Sequence, residues 1–338
     1  MGFQSRTSHP GQRKKPTRSA VAFAAAVPLV VLAIVAVAIV AGRPADASGT
    51  PPGDQYIAAA ELPPAVPGPA LGPDASTGRV TVDCGRNERG HRNTDNVVIS
   101  PGLVGGAHHT HDYIGNTSTD ARSTDASLAA AGTTCADGDR SAYYWPVLRR
   151  LDAPGADADA HGGGLHGNTG RIITATEARV EFLGNPVGKV VPQPAGLRMI
   201  TGDPVAATTT DAEVRAQWGC SGSPGRHTTL YPRCPDGERT TRTLEFPSCW
   251  NGLTPDSDNH RTHIVFPAAN GVCPPATFPV PRLRLTLAYD VPPGVPYAVD
   301  SFPEQKRHPK TDHAMFINVM TDARRERIAQ CLNDGGSC

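Results

Sequence analysis

The sequence predicts a mainly β protein, with a single β-sandwich or jelly-roll-like domain, long loops, a short C-terminal helix and stabilising disulfide bonds. Three observations lead to this prediction. Short runs of apolar and β-branched residues alternate with clusters of Gly, Pro, Asn and Asp, helical periodicity is scarce, and eight cysteines follow an apolar N-terminal segment. Many short strands separated by turn residues are typical of all-β sandwiches and barrels.

The N-terminal segment, residues 1–47, has the features of an export signal or a membrane anchor. Four basic residues between positions 13 and 18 precede an uncharged run from Ala20 to Gly42. This run is long enough to span a bilayer, whereas Ala45-Asp46-Ala47 matches the small-x-small site of signal peptidase. Cleavage and retention are both open, and the membrane is a partner only if the segment is uncleaved. Because the basic residues precede the run, we expect a protein secreted or anchored on the outer face of the cell membrane.

The segment that follows, residues 48–77, is rich in Pro, Gly and Ala and has few aromatic or β-branched residues. Such a composition buries too little apolar area to offset the entropy of ordering the chain. We therefore predict a linker here. No second break of this kind divides residues 78–338, which predicts one domain.

The eight cysteines all lie downstream of the apolar run, and their number is even. Disulfide bonds in an oxidising compartment are the simplest interpretation. None of the cysteines forms a C-x-x-C pair, and their spacing matches no zinc finger. Eight cysteines allow 105 connectivities, of which we expect the pairing of neighbour with neighbour.

Six runs within residues 78–338 have the length and composition of strands. They are residues 79–82, 96–99, 171–173, 178–182, 262–266 and 283–288. The best helical candidate is residues 322–332, in which Ala323, Ile328 and Leu332 can share a face. The formal net charge of zero gives no sign of a nucleic-acid partner. No G-x-S-x-G, Walker, H-E-x-x-H or dinucleotide-binding motif is present.

Histidines form the most informative pattern, and the first cluster is the sequence GGAHHTHDYIGN. On a strand, His109 and His111 would point to one face of the sheet, and His108 and Asp112 to the other. Two imidazoles on one face can present two nitrogen ligands to a divalent metal, or a base with its orienting partner. The alternative is that these side chains only bind neighbouring loops. We predict Asp112 as a substrate-binding residue.

The second cluster lies in FPSCWNGLTPDSDNHRTH, residues 246–263, called here the Asp/His block. Asp256, Asp258 and His260 alternate along the chain, and His263 follows three residues later. Carboxylates beside imidazoles suit acid/base hydrolysis, a hard cation such as calcium, or simply a solvated turn. Trp250 is the predicted sugar-stacking platform, whereas core packing is the commoner role for a tryptophan.

Two further clusters are weaker candidates. His161 and His166 lie in the glycine-rich sequence DADAHGGGLHGN, which is typical of a surface insertion. His313 follows His308 and Asp312 and stands directly before the apolar run AMFINVM. We therefore expect His313 to reach an interior cleft.

Five sequence blocks occur in an order that resembles the DUF1996 family, secreted proteins of actinobacteria and fungi. The blocks are NVVISPGLVGGAHHTHDYIGN, CADGDRSAYYWPVL, PAGLRMITGDP, LEFPSCWNGLTPDSDNHRTHIVFP and GVCPPATFPVPRLRL. The resemblance implies a secreted, disulfide-bonded domain in which the His109/His111 pair and the Asp/His block are marked polar positions. It supplies no reaction.

The chain departs from the pattern that the resemblance implies at a few positions. Asn251 stands where the family usually has Asp, and no His follows the Cys-Pro pair near Thr277. Met315 stands where the family has the Asp of a His-x-Asp-Phe motif. If these carboxylates are catalytic, this member is altered or inactive; if they are structural, nothing follows.

The leading functional hypothesis is a carbohydrate-active or cell-envelope hydrolase acting on an extracellular polysaccharide or cell-wall glycan. In it an Asp acts as general acid or base, and the histidines orient it or hold a divalent metal that activates water. The residues that would converge in one cleft are His109, His111, Asp256, Asp258, His260, His263 and His313. The alternatives are a non-catalytic glycan- or metal-binding protein and a structural disulfide-rich surface domain.

Overall fold

Strands dominate the computed structural model, which describes residues 49–338. The predicted export segment lies outside the described residues. Within residues 49–338, none of the helices has the length and apolar character that crossing a membrane requires. Strands account for 26% of the residues and helices for 11%, so the predicted mainly β class is confirmed.

The described residues form eighteen strands and two α-helices. The strands are β1 (Tyr56–Ala58), β2 (Arg79–Val82), β3 (Arg92–Asn93), β4 (His111–Gly115), β5 (Ala142–Pro146), β6 (Leu148–Arg150), β7 (Arg171–Ile173), β8 (Glu177–Leu183), β9 (Arg198–Gly202), β10 (Trp218–Cys220), β11 (Tyr231–Arg233), β12 (Thr240–Glu245), β13 (Cys249–Trp250), β14 (Ile264–Val265), β15 (Phe278–Pro279), β16 (Arg282–Tyr289), β17 (Tyr297–Val299) and β18 (His313–Ile317). The helices are α1 (Asp125–Ala130) and α2 (Asp322–Asn333). Five short 3-10 helices comprise Gly53–Gln55, Ala59–Glu61, Gly164–His166, Pro303–Gln305 and Pro309–Thr311.

Two five-stranded sheets form the body of the domain. The leucine sheet has the order β10-β12-β16-β8-β2, and the histidine sheet has the order β3-β4-β5-β18-β9. Phe182 of the leucine sheet and Phe316 of the histidine sheet meet with ring centroids 6.2 Å apart, in one hydrophobic core. Three smaller sheets, β14-β13-β15, β17-β6-β7 and β1-β11, complete the described part, and none of its sheets closes into a barrel.

Alternation of apolar residues explains the central strand of the leucine sheet. In the sequence RLRLTLAY of β16, Leu283, Leu285 and Leu287 are buried, while Arg282 and Arg284 between them are partly exposed. Successive side chains of a strand point to opposite faces, so this pattern buries one face and hydrates the other. The predicted strand at residues 283–288 is confirmed within β16.

The other strand predictions have mixed outcomes. Residues 79–82 and 171–173 form strands as predicted, and residues 178–182 lie within β8. Of residues 262–266, only two residues form a strand. The predicted strand at residues 96–99 is wrong, because the Asn96 side chain accepts a hydrogen bond from the Ile99 amide and its carbonyl accepts one from the Ser100 amide. Asparagine stabilises turns in this way.

The predicted C-terminal helix is confirmed as α2. Its buried residues are Ile328, Ala329, Cys331 and Leu332. Ala323, which we expected on the same face, is exposed, because only the second half of the helix packs against the core.

Part of the predicted linker lies against the domain. β1 pairs in parallel with β11, and the Tyr56 ring packs on Tyr231 with centroids 5.3 Å apart. The Tyr56 hydroxyl also donates a hydrogen bond to the Tyr297 carbonyl. Further along the segment, Leu62 is buried and the Gly72 amide donates to the Pro186 carbonyl, so the contact with the domain extends beyond β1.

Four disulfide bonds join neighbouring cysteines, as expected. The pairs are Cys84–Cys135, Cys220–Cys234, Cys249–Cys273 and Cys331–Cys338. No cysteine of the described residues is free. Each bond closes a loop of 7 to 51 residues and stabilises the domain mainly by restricting the unfolded chain.

Candidate metal centre

Three histidines from distant parts of the chain meet in the interior, and we call them the buried histidine triad. The Nε2 atom of His109 lies 3.1 Å from Nε2 of His111 and 3.3 Å from Nε2 of His313. Each side chain is at most 1% exposed, and the three ligand nitrogens all lie within 4.8 Å of one another. Nitrogens that bind a tetrahedral metal at 2.0–2.1 Å lie roughly 3.3 Å apart. The spacing of the triad therefore fits one shared ion.

The histidine sheet brings two of these residues together. β4 begins at His111 and β18 begins at His313, and both strands pair antiparallel with β5. His111 pairs with Pro146, and extending the β18 register two residues beyond the Met315–Tyr144 pair places His313 opposite Pro146 too. The two histidines thus start the two strands that flank β5, at the same end of the sheet.

His313 also depends on the strand at its other side. It pairs with Gly202, whose φ is +79°. A Cβ atom at this glycine would lie 2.1 Å from the Asp312 carbonyl and 2.9 Å from the His313 Cα. Glycine is therefore required for β9 to approach the histidine this closely.

Backbone carbonyls orient the imidazoles. His111 Nδ1 lies 2.9 Å from the Asp95 carbonyl, and His313 Nδ1 lies 2.8 Å from the Thr311 carbonyl. A carbonyl only accepts hydrogen bonds, so each of these Nδ1 atoms carries the proton and each Nε2 presents a lone pair. His109 Nδ1 has no partner with hydrogen-bond geometry, although the nearby Ala107 backbone raises its pKa slightly. Lone pairs that face one another at this distance repel unless a cation or a proton lies between them.

Burial keeps the triad neutral. Desolvation lowers the pKa of His109 and of His111 well below the usual value, and the neighbouring histidines add to the effect. Desolvation lowers the pKa of His313 to about 4. Neutral imidazole is the form that binds metal ions. The triad is therefore ready to bind a metal at neutral pH.

A buried ion pair fixes the segment before His313. Arg242 donates from Nε to Asp312 Oδ2 at 3.0 Å, and its Nη2 also contacts Asp312 Oδ1. The same guanidinium donates to the Pro146 carbonyl at 2.9 Å. Arg242 thus links Asp312, the neighbour of His313 in sequence, to Pro146, which lies between His111 and His313 in the sheet. Such supporting contacts set the orientation of metal ligands.

A second buried pair supports the segment between His109 and His111. Asp300 accepts the Thr110 amide at 3.3 Å and two bonds from Arg149, at 2.6 and 3.0 Å. Arg149 is fully buried and also forms a bidentate pair with Asp157 at 2.6 Å. Two carboxylates therefore share one guanidinium, which links the histidine segment to the glycine-rich loop.

The predicted alternation of His108 to Asp112 along one strand is wrong at its start. β4 begins only at His111, and His108 lies in a turn with φ of +55°. His109 reaches the triad from this turn instead. Asp112, the predicted substrate-binding residue, is buried and accepts bonds from Arg92 at 2.6 Å and Asn87 at 2.7 Å. These contacts give it a structural role in the described state.

The Asp/His block forms its own hydrogen-bond network. Asp256 lies 2.9 Å from Nδ1 of His260, and the Ser257 hydroxyl lies 2.9 Å from Nδ1 of His263. His263 is buried and its Nε2 lies 2.6 Å from the Arg198 carbonyl. Because Nε2 donates to this carbonyl, Nδ1 of His263 is an acceptor for the Ser257 hydroxyl, for which Asn259 Oδ1 at 3.1 Å is a second acceptor. Asp258 is exposed.

The two networks are separate in their contacts. Within residues 49–338, no hydrogen bond, ion pair or ring contact joins the buried histidine triad to the Asp/His block. The block instead borders a cavity of about 350 Å³ lined by residues that include Glu213, Arg215, Arg261 and Phe266. The structure thus joins three of the seven predicted site residues, the buried triad, in one cluster.

The predicted tryptophan roles differ in their outcomes. Trp218 is fully buried in the core, which is the commoner role for a tryptophan. Trp250 is partly exposed, donates from Nε1 to the Thr254 carbonyl at 2.7 Å and pairs across the sheet with Phe278, which is 51% exposed. An aromatic pair of this kind suits stacking on a sugar ring.

Asn251 and Met315, the positions where the resemblance implies acids, have structural roles. The Asn251 side chain accepts the amides of Leu253 and Thr254 and closes a turn. Met315 is fully buried in a small apolar cluster with Tyr144.

Sequence reasoning missed Ser257 and most of the supporting ion pairs. Ser257 is adjacent to Asp256 but carries no recognised nucleophile motif, and Arg242 is 70 residues from Asp312. Pairs so distant in sequence leave no local pattern. The apolar run that follows His313 was the one signal that pointed inward.

The fold and the site define a mainly β, disulfide-bonded domain with a buried histidine triad. The family model for the domain of unknown function DUF1996 matches residues 96–317, more than half of the chain. The protein belongs to the DUF1996 family. The matched region contains all three histidines of the triad, and no curated protein or solved structure matches the chain significantly.

Proposed function

We propose that this domain is an exported metal-binding protein that holds one divalent transition metal on the buried histidine triad. The observation that carries the proposal is the convergence of three imidazole nitrogens within 4.8 Å of one another, with His109 Nε2 3.1 and 3.3 Å from the Nε2 atoms of His111 and His313. Four disulfide bonds support the exported location, because disulfides persist in oxidising compartments. We therefore propose that the protein acts outside the cell or on the outer face of the cell membrane.

The ligand set narrows the choice of metal. Imidazole suits zinc, copper, nickel and iron, whereas calcium and magnesium take oxygen ligands. Three neutral imidazoles leave one position open in a tetrahedral coordination shell. A metal bound to the triad would act as a Lewis acid toward a fourth ligand at that position. Since the three side chains are at most 1% exposed, the arrangement favours metal holding over attack on a polymeric substrate.

The test is the metal content of the purified, oxidised full chain, kept in detergent if its N-terminal segment is retained. The protein is stripped with a chelator, dialysed against Zn²⁺ and analysed for bound metal. We expect one tightly held equivalent, and its loss in the His109→Ala/His111→Ala double variant. His227→Ala, a histidine elsewhere in the fold, serves as the matched control and should keep the metal.

Either of two results would contradict the proposal. The first is a wild-type protein that holds no metal at micromolar free Zn²⁺. The second is a double variant that keeps the tight equivalent. Near-UV circular dichroism checks that the variants are folded, because the triad lies in the core.

A second candidate function is hydrolysis of an extracellular glycan or glycan ester at the Asp/His block. The specific observation is that the Ser257 hydroxyl lies 2.9 Å from Nδ1 of the buried His263. This is the distance expected between a nucleophile and its general base. A pocket of about 350 Å³, the volume of a ligand pocket, is lined by Asn259, Arg261 and Thr262 of the same block, whereas Ser257 and His263 are not among its lining residues. Arg215 and Arg261 both contact Glu213, which leaves one positive charge for an acidic sugar.

Activity on acetylated and uronic acid-containing oligosaccharides tests this candidate. Ser257→Ala and His263→Ala should each abolish release of acetate or sugar, while His109→Ala/His111→Ala should keep it. Asp256→Asn tests whether the His260 partner takes part. Equal activity in Ser257→Ala and the wild type would exclude the dyad.

A further inference from the structure

A second group of histidines lies directly outside the buried one, and we call it the surface histidine triad. It consists of His108, His161 and His166. The ring centroids of His161 and His166 are 4.4 Å apart, and the His108 ring lies 5.4 Å and 5.0 Å from them. His108 and His161 are exposed and His166 is half-buried.

The two triads have the same ring spacing. The ring centroids of the buried triad are 4.6, 5.1 and 5.8 Å apart. Two imidazoles that share a tetrahedral metal through nitrogen have ring centroids roughly 5 Å apart. The surface rings therefore stand at the distance from one another that a common ion requires.

The nitrogens of the surface triad do not yet converge. His166 Nδ1 accepts the Gly162 amide at 2.8 Å, and the His108 and His166 rings are stacked at 15°. Metal binding requires the His108 and His161 rings to turn, which their exposure permits, and His166 to change its hydrogen bond. A site that must rearrange binds more weakly than one with ligands already aligned.

The two triads are connected. His108 and His109 are consecutive, and the Phe302 ring contacts both, with centroids 5.9 and 5.2 Å away. Asn168 donates to the His108, Gly162 and Ser301 carbonyls, which holds the glycine-rich loop against this point. An ion that moves from the surface triad to the buried triad would therefore pass only one residue and one aromatic ring.

We propose that the surface histidine triad is a second, weaker site for a divalent transition metal and that metal enters the buried triad through it. The entry step rests on the function proposed above for the buried triad. The weaker site does not, because its ligands are different residues.

Calorimetric titration of the chelator-stripped full chain with Zn²⁺ tests the second site. The wild type should bind two equivalents whose affinities differ at least tenfold. His161→Ala/His166→Ala should lose the weaker equivalent and keep the tighter one, while the control His227→Ala keeps both. His109→Ala/His111→Ala should lose the tighter equivalent alone.

Stopped-flow loading of the tight site tests the entry step. With Zn²⁺ in excess, loading of His161→Ala/His166→Ala should be at least tenfold slower than loading of the wild type, with the same final occupancy. An unchanged loading rate would overturn the entry step, and a wild type that binds only the tight equivalent would overturn the second site.

The failures of the two proposals are distinguishable. A wild type that binds only a weak equivalent, lost in His161→Ala/His166→Ala, would contradict the function proposed for the buried triad and with it the entry step. The same result would support the surface site.

Discussion

The buried and surface histidine triads have similar ring spacing but different surroundings. In the buried triad, two carbonyls hold the Nδ1 protons of His111 and His313, and Arg242 braces the neighbouring backbone. In the surface triad, the corresponding restraints are the Gly162 amide bond to His166 Nδ1 and a long contact of 3.5 Å between Thr94 Oγ1 and His161 Nδ1. The surrounding hydrogen bonds decide which nitrogen faces an ion, so two groups of imidazoles with similar ring spacing are expected to differ in their affinity for a metal.

The charged groups around the triads differ in the same way. Arg242 and Asp312 are both fully desolvated, whereas Asp157 near the surface triad remains 28% exposed. Removing one partner of a buried ion pair strands the other charge in the interior, while a partly exposed charge regains water. The buried triad therefore depends on the ion pair beside it far more strongly than the surface triad does.

Removal of the Asp312 carboxylate should have the largest effect. Asp312→Ala leaves the buried Arg242 charge without its main partner and should lower the free energy of unfolding by about 3–5 kcal/mol. Asp157→Ala is the matched variant near the surface triad, and it should cost about 1 kcal/mol because Arg149 keeps Asp300. Urea unfolding measures both. Equal losses of unfolding free energy in the two variants would show that the two ion pairs do not differ in their contribution to stability.

Acidification should destabilise the metal-free protein. Because the pKa of His313 is lowered to about 4 in the fold, the unfolded chain binds more protons between about pH 6.5 and pH 4. Stability therefore falls as the pH drops through this range, by up to about 3 kcal/mol from His313. Urea midpoints with EDTA at pH 7, 5.5 and 4.5 check the slope. A flat profile would indicate that the triad is hydrated.

Metal should stabilise the fold through the buried triad. At a free Zn²⁺ concentration of 100 times Kd, binding should raise the free energy of unfolding by about 2.7 kcal/mol. His313→Ala should remove this increment and His161→Ala should keep most of it. Thermal unfolding with Zn²⁺ and with EDTA measures the increment. A metal effect that survives in His313→Ala would place the stabilising ion elsewhere.

Loss of the Asn168 side chain should have a smaller effect that is local to the surface triad. Asn168→Ala strands the buried Ser301 amide, which Asn168 Oδ1 accepts at 3.0 Å, and should cost about 1–2 kcal/mol. Hydrogen exchange should accelerate in residues 153–170 and stay unchanged in β18. His161→Ala, an exposed change nearby, should alter stability by less than about 0.5 kcal/mol. Uniform acceleration across the domain would mean that the loop is not a separate unit.

Sequence patterns carried much of the fold and only part of the site. The alternation in β16, the helical period of α2 and the cysteine order predicted elements that the structure confirms. The strand predicted at residues 96–99 was wrong because the three β-branched residues that suggested it follow Asn96, whose side chain closes a turn. Strand propensity measures fit to a half-buried surface, and a local side-chain bond can override it.

The candidate site was likewise predicted only in part. His109 and His111, with one residue between them, were expected to share a strand face, and they do lie together, although His109 reaches the triad from the turn before β4. His313 was expected to reach the interior, and it is buried. Their meeting could not be predicted, because it depends on β4 and β18 flanking β5, strands almost 200 residues apart along the chain. The Asp/His block, grouped with them by composition, forms its own contacts beside β9.

What the sequence alone determined about this protein is local: its compositional class, its disulfide order, its strand-forming segments and the residue types that can bind metal. These follow from nearest-neighbour chemistry, because alternation, capping and cysteine spacing act over a few residues or along the order of the chain. Tertiary structure alone decided which histidines share a centre and which remain at the surface. Strand order and register set that choice, because they bring together residues whose separation along the chain contains no trace of their contact.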